Sequence, residues 1–189
     1  MARITQISKE IILQAALELL IEKGFSEVNI KTLSQKIGCS TQPIVWHFDN
    51  MDGLRIALGK YALAYANKKL CPTVDEGNEA FKQVGSAYIG LALNEPNLFR
   101  FLYMSGKSQF SLQNFEGLLT DEGNAELIKA LSVSLQISEI KASKYLQDTI
   151  IYTHGIATLI VAGVINATES EIMDFIDNAS NSFLLKARS

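Results

Sequence analysis

Apolar residues recur every three or four positions along nearly the whole chain, and this periodicity constrains the fold more than any other feature. In residues 8–25, Ile12, Ala16, Leu19 and Leu20 share one face of a helix drawn on the sequence. No stretch alternates apolar and polar residues over the length of a strand. The sequence therefore predicts an all-α protein with roughly nine or ten helices.

Capping residues set the limits of the first two helices. Ser8 is a suitable N-cap for the first helix and Gly24 a suitable end, and Asn29 and Gly38 bound a second helix in the same way. A long amphipathic helix is predicted over 51–70, where Pro72 follows its end.

The start of a third, short helix has two interpretations. Ser40 can cap it, which places Pro43 in the first turn, where no internal N–H bond is lost. Alternatively, Gln42 is the cap and the helix begins at Pro43, because the residue before a proline avoids helical angles. Either way, the helix ends near Phe48, a residue expected in the core.

The rest of the chain continues as helices. The periodic segments are 79–94, 97–106, 110–119 (less regular), 124–137, 138–166 and 168–187. We predict a helix-turn-helix domain over 1–50 and a larger helical bundle over 51–189, with helix 51–70 connecting them.

The tight turn between the second and third helices is typical of a helix-turn-helix motif. Gly38 permits the sharp turn, and small Ser34 lets the two helices approach. The residues expected to be buried between them are Leu33, Ile37, Cys39 and Ile44. The third helix would then present Thr41, Gln42, Pro43 and Trp46 outward, as a helix that reads a DNA major groove does.

The runs ILQAALELLIEKGF, NIKTLSQKIGCS and WHF, with their spacing, resemble the DNA-binding domain of the TetR family of transcriptional regulators. Later runs, NEPNLFRFLYM and THGIATLIVAG, resemble segments of that family's ligand-binding domains. The resemblance implies a DNA-binding repressor released from a double-stranded operator by a small-molecule effector. It also implies a homodimer that pairs through the last two helices, about 139–166 and 169–187.

The predicted DNA-binding residues lie in and before the third helix: Lys31, Thr32, Ser40, Thr41, Gln42, Pro43, Trp46 and His47. Lys31 and Thr32 are expected at phosphates, and Gln42 can pair with the N6 and N7 atoms of adenine. Trp46 is either a DNA-facing or a core residue. His47 is interpreted as a phosphate-contacting or helix-packing residue, because no second histidine or suitably spaced carboxylate accompanies it.

Four positions depart from the family pattern, which usually has a glycine or another small residue near Gln42 and a small residue at Pro43. The family has a tyrosine where Val45 stands and a lysine where Met51 stands, and both contact phosphate. Residues 1–50 are also electrically neutral, with five basic and five acidic residues. Because phosphate neutralisation supplies most non-specific affinity, we expect binding that is weak or that depends on other cations, namely Lys31, Lys36, Arg55 and Lys60.

An aromatic-rich region is the candidate effector site, since such pockets are mostly apolar with a few polar groups. Its predicted residues are Tyr88, Phe99, Tyr103, Met104, Phe110 and His154. Ordinary core packing is the alternative for the aromatic residues, and a bond to a backbone carbonyl is the alternative for His154. Gly155 and Gly163 lower helix stability, which indicates close helix packing there, as at a dimer interface.

Charge and composition favour a cytoplasmic protein with no cofactor. Residues 1–72 carry nine basic and six acidic residues and residues 73–189 carry eight and fourteen, which gives +3, −6 and the total of −3. The basic segment, residues 1–72, suits a nucleic-acid partner. No signal peptide is apparent, the two cysteines form no CxxC pair, and the apolar run 150–165 is short for a membrane span.

Two other functions stay open. A helical-bundle enzyme of the carboxylate-bridged di-iron type needs Glu-x-x-His pairs, but Ile44 and Ile151 stand three residues before the two histidines. Phosphate-binding loops and nucleophile motifs are absent too, so we predict no catalytic and no metal-binding residues. A dimeric small-molecule binder with weakened DNA contacts is the milder alternative.

Overall fold

The computed structural model describes residues 7–74, 77–104 and 122–189, with side chains from residue 125 in the last range. Nine α-helices occupy these residues: α1 (Lys9–Lys23), α2 (Ile30–Ile37), α3 (Gln42–Phe48), α4 (Met51–Leu70), α5 (Gly77–Asn94), α6 (Pro96–Phe99), α7 (Glu122–Leu135), α8 (Glu139–Val161) and α9 (Glu169–Arg188). A 3₁₀ turn, Phe25–Glu27, follows α1, and a π-helical turn, Arg100–Met104, continues α6. No strand occurs in the described ranges, so the all-α prediction is confirmed. The helix predicted over 110–119 and Phe110 lie outside them.

The chain divides into two compact units. Unit 1 comprises Met1–Asn67 and Glu95–Phe110, and unit 2 comprises Lys68–Asn94 and Ser111–Ser189. Both the helix-turn-helix and the segment around α6 therefore belong to unit 1. The predicted functional division at residue 50 stays a prediction, since compactness alone does not test it.

Unit 1 is built around the apolar face of α1. Ile12, Ala16 and Leu20 are fully buried there, and Leu33 of α2 and Phe99 of α6 are buried as completely. The N-caps predicted for α1 and α2 are confirmed. Ser8 Oγ accepts a hydrogen bond from Ile11 N (3.3 Å), and Asn29 Oδ1 accepts one from Thr32 N (3.0 Å). These bonds satisfy backbone donors that a helix start leaves open.

The start of α3 differs from both interpretations made from the sequence. Thr41 is the N-cap, its side chain makes no capping hydrogen bond, and the helix begins at Gln42. Neither Ser40 nor Gln42 is the cap. Pro43 lies in the first turn, as predicted, where its missing N–H costs no helical bond. Gln42 is therefore the first helical residue and stands at the tip of α3.

Unit 2 packs α5, α7 and α9 against α8. Its core contains the buried residues Leu131, Leu135, Ala142, Tyr145 and Leu146. A polar contact is buried beside it, since Tyr145 Oη and Ser180 Oγ lie 2.6 Å apart. The core thus joins α7 and α8 by apolar packing, and a specific hydrogen bond ties α8 to α9.

Helix α8 is shorter than the sequence predicted. It ends at Val161 rather than near residue 166, with Ala162 as C-cap. Gly163 has φ +73° and so lies in the turn after the helix, not within it. The apolar sequence continues through this turn, which is why periodicity alone extended the helix.

Candidate nucleic-acid interface

The α2–α3 turn has the geometry that its sequence predicts. Gly38 has φ +76°, a left-handed conformation that favours glycine. The N–H groups of Gly38 and Cys39 both donate to the Ser34 carbonyl, at 2.9 and 3.0 Å. Leu33 and Ile44 are buried between the helices, with exposed fractions of 0% and 1%, while Ile37 and Cys39 are only half-buried.

The opposite face of α3 is open. Trp46 is 73% exposed and Val45 41% exposed. Thr41, Gln42 and His47 are also exposed, whereas Pro43 is half-buried and Phe48 is buried. Because Ile44 and Phe48 hold the helix by its inner side, the outer side is free to meet a partner. Trp46 is therefore a surface residue, and its core alternative is wrong.

His47 contacts the chain that precedes α1. Its Nε2 atom lies 3.0 Å from the carbonyl oxygen of Ile7. A carbonyl only accepts hydrogen bonds, so Nε2 must carry the proton and donate. No sequence pattern predicts this contact, because the two residues are 40 positions apart.

The two predicted residues at the start of α2 differ in their surroundings. Lys31 is exposed, whereas Thr32 takes part in capping the helix. The Thr32 hydroxyl donates to the Glu27 carbonyl (2.6 Å) and accepts from Asn29 N (3.2 Å). It completes a capping box with Asn29, so Thr32 fixes the start of α2. The Asn-x-x-Thr spacing was the available signal for this role.

Two cations of unit 1, Lys36 and Arg55, have partners within the fold. Lys36 Nζ lies 3.0 Å from a Glu18 carboxylate oxygen and 3.9 Å from one of Glu22. The Arg55 guanidinium lies 5.0 Å from the centre of the Phe25 ring. Two of the four cations predicted to support DNA binding are thus engaged within the fold.

A further cation lies beside α3. Lys9, the first residue of α1, places its Nζ atom 5.3 Å from the centre of the Phe48 ring, and the residue is exposed. Sequence patterns did not single out Lys9, because its distance from α3 depends on how α1 packs. Its ammonium group is a positive charge next to an α3 that carries no lysine or arginine.

The residues predicted to bind an effector include one contacting pair in each unit. In unit 2, Tyr88 Oη lies 2.8 Å from His154 Nδ1, and burial lowers the pKa of His154. In unit 1, the Phe99 and Tyr103 rings lie 5.1 Å apart, and burial raises the pKa of the Tyr103 hydroxyl. Met104 follows them and is exposed.

The described residues contain no candidate metal site and no candidate membrane-spanning helix. No cluster of three or more histidine, cysteine, aspartate or glutamate side chains there could hold a metal ion. None of the helices in residues 7–74, 77–104 and 122–189 combines the length and apolar character that a membrane crossing requires.

Comparisons with known proteins agree with the motif. Residues 12–58 match the family model for bacterial regulatory proteins of the tetR family. The class D tetracycline repressor protein of Escherichia coli is 32% identical over 76 residues, which are 40% of this chain and 35% of that protein. The chain therefore aligns with about a third of the length of this curated relative.

Solved structures extend the likeness of the fold over nearly the whole chain. A putative TetR-family transcriptional regulator from Rhodococcus sp. has a TM-score of 0.66 at 14% identity, covering 93% of this chain and 97% of its own. TetR from Acinetobacter baumannii AYE has a TM-score of 0.63 at 20% identity, covering 95% and 96%. The helix-turn-helix is thus similar in sequence to bacterial regulatory proteins of the tetR family, and the fold of nearly the whole chain is similar to that of solved TetR-family structures.

Proposed function

We propose that the protein is a ligand-responsive transcriptional repressor that binds operator DNA as a homodimer and releases it when a small-molecule effector binds. The observation that carries the DNA-binding part is the two-sided α3. Ile44 and Phe48 fix the inner side, while Trp46 and Gln42 stand exposed on the outer side. A helix held in this way can enter a major groove without disturbing its own core.

The proposed interface has base-reading and backbone-binding parts. Thr41, Gln42 and Trp46 lie at the exposed tip and face of α3 and are assigned to the bases, with Gln42 suited to adenine. The remaining predicted residues, Lys31, Thr32, Ser40, Pro43 and His47, are assigned to the sugar-phosphate backbone or to holding α3 in place. Backbone contacts set register, and base contacts set sequence preference.

A homodimer through α8 and α9 is supported by apolar side chains on their surfaces. Ile151 and Leu159 are 45% and 41% exposed on α8, and their spacing places them with Gly155 in one row. A Cβ added at Gly155 would meet nothing within 4 Å. On α9, Phe175 and Leu185 are 53% and 69% exposed. Exposed apolar rows mark interaction surfaces, and a two-fold axis would pair them with themselves.

The response to an effector is supported by the position of α6 in unit 1. Asn97 Nδ2 donates to the Ile21 carbonyl of α1 (3.1 Å), and the Phe101 ring stacks on Phe25 at 5.0 Å. The predicted effector residues Phe99 and Tyr103 thus belong to the segment that packs on α1. An effector that prefers another arrangement of this segment would change the population of DNA-binding conformations.

The first experiment is an electrophoretic mobility assay at low salt, in which the folded protein should retard a fragment of its own gene's promoter region. We expect Gln42→Ala to reduce discrimination between specific and random DNA, and Lys31→Ala to weaken binding to both. Equal loss on both DNAs from Gln42→Ala would rule out base reading by Gln42. An effector is sought as a compound that raises the melting temperature and abolishes retardation.

A second candidate function is a dimeric small-molecule binder with weakened DNA binding. It is favoured by the engagement of Lys36 and Arg55 within unit 1 and by the exposed Val45, which has no hydrogen-bond donor in its side chain. This function predicts stabilisation by a compound together with no retardation of any DNA at low salt.

A further inference from the structure

The chain just before α1 lies against the end of the proposed recognition helix, α3. The His47 side chain reaches the Ile7 carbonyl at 3.0 Å, and Lys9 Nζ lies over the Phe48 ring at 5.3 Å. Two contacts, one polar and one between a cation and an aromatic ring, therefore join residues 7–9 to the last two residues of α3. The start of α1 shares the surface on which α3 ends.

Positive charge is scarce on this surface. Residues 38–54 contain no lysine or arginine, but they contain Asp49 and Asp52, both exposed. A helix-turn-helix nevertheless needs cations near the phosphates that flank its recognition helix. Lys36 and Arg55 are held by Glu18 and Phe25. Lys9 is exposed and contacts α3.

We propose that the segment Ile7–Lys9 is a second DNA-binding element in which Lys9 binds a backbone phosphate, and that His47 is a positioning residue that fixes this segment through Ile7. The proposal rests on the proposed operator binding and names a phosphate contact that compensates for Val45 and Met51. Stacking over Phe48 orients the lysine, and the rest of its ammonium group keeps donors for a phosphate oxygen. Without the bond from His47, the backbone that carries Lys9 would lose its link to α3.

The test measures DNA affinity of the full-length protein over a series of salt concentrations, with the promoter fragment that it retards. Each phosphate contact contributes about 0.9 to the slope of log affinity against log salt. Lys9→Gln should therefore reduce the slope by about 0.9 per DNA-binding head and weaken binding several-fold at the lowest salt. The melting temperature should stay within a degree or two of the wild-type value, since the removed interaction is exposed.

Lys23→Gln is the matched control. Lys23 is the last residue of α1, about 21 Å along the helix from Lys9. The Lys23→Gln variant removes the same charge from the same helix, and the slope should stay unchanged. If Lys9→Gln leaves the slope unchanged while the wild type binds, the inference is wrong but the proposed function stands. A fall in melting temperature without a change in slope would make Lys9 a packing residue and also overturn the inference. A wild type that retards no DNA overturns both.

The role of His47 is tested by a double-mutant cycle. If His47 positions the segment, Lys9→Gln should change the slope less in a His47→Ala background than in the wild type. His47→Gln keeps a donor that can reach the Ile7 carbonyl, so it should restore most of the Lys9 effect. If the Lys9 and His47 effects simply add, and glutamine restores nothing, His47 acts on its own and the positioning role is refuted.

Discussion

The junction between α3 and α4 depends on a glycine, and replacing it gives the sharpest test of how α3 is held. Gly53 is the third residue of α4, and its N–H donates to Asn50 Oδ1 at 2.9 Å. A Cβ added at Gly53 would lie 2.2 Å from the Phe48 carbonyl oxygen. An ordinary contact begins at 3.4 Å, so this oxygen and the Cβ must separate further by the difference, 1.2 Å.

The clash is with backbone at the last residue of α3, so no side-chain rotation relieves it. Overpacking of this kind costs about 1–3 kcal/mol, and the intrinsic gain of alanine over glycine in a helix offsets about 0.5–1 kcal/mol of it. We expect Gly53→Ala to lower the free energy of unfolding by about 1–2 kcal/mol. For a chain of this length, that is a fall of roughly 2–8 °C in melting temperature. DNA affinity should fall as well, because α3 must shift.

Gly85→Ala is the matched control, since a Cβ at Gly85, in the interior of α5, would meet nothing within 4 Å. It should stabilise the protein by about 0.4–1 kcal/mol. Thermal unfolding followed by circular dichroism measures both variants. If Gly53→Ala melts at or above the wild-type temperature while Gly85→Ala behaves as expected, the close approach of Phe48 to α4 does not constrain the residue at position 53 and the prediction is refuted.

Three further predictions concern the cap of α2, the core of unit 2 and the proposed dimer. Asn29→Ala should cost about 1 kcal/mol, whereas Ala at the exposed Gln35 of the same helix should not; equal melting temperatures for the two variants would refute the capping role. Tyr145→Phe should cost about 1–2 kcal/mol in urea unfolding because it leaves the buried Ser180 hydroxyl without its partner. Adding Ser180→Ala should recover part of that loss, and no recovery would contradict the pairing. Leu159→Glu should dissociate the proposed dimer in sedimentation equilibrium, whereas Val133→Glu, at a 73% exposed position of α7, should leave it intact; a dimeric Leu159→Glu would place the interface elsewhere.

The fold could be predicted from the sequence because helices and their ends depend on patterns within a few neighbouring residues. Apolar spacing set the helices, and Asn29 and Gly38 bounded α2 as expected, since capping and left-handed turns depend on neighbouring backbone groups. Helix α8 ends earlier than its apolar pattern predicts, because the apolar residues after Val161 fit that pattern whether they lie in a helix or in a turn. Thr41 was not predicted as the cap of α3, since a cap whose side chain makes no hydrogen bond leaves no pattern in the sequence.

The sequence by itself determined the helical class, the helix-turn-helix and the similarity of residues 12–58 to the tetR family, because each depends on residue types at short, fixed spacing. Only the tertiary structure decided which side chains share a surface. The contact of His47 with Ile7, the position of Lys9 beside α3 and the closeness of Gly53 to Phe48 all depend on how helices pack. Packing brings together residues that are far apart in sequence. It also places Lys36, which the sequence predicted to support DNA binding, in an ion pair with Glu18.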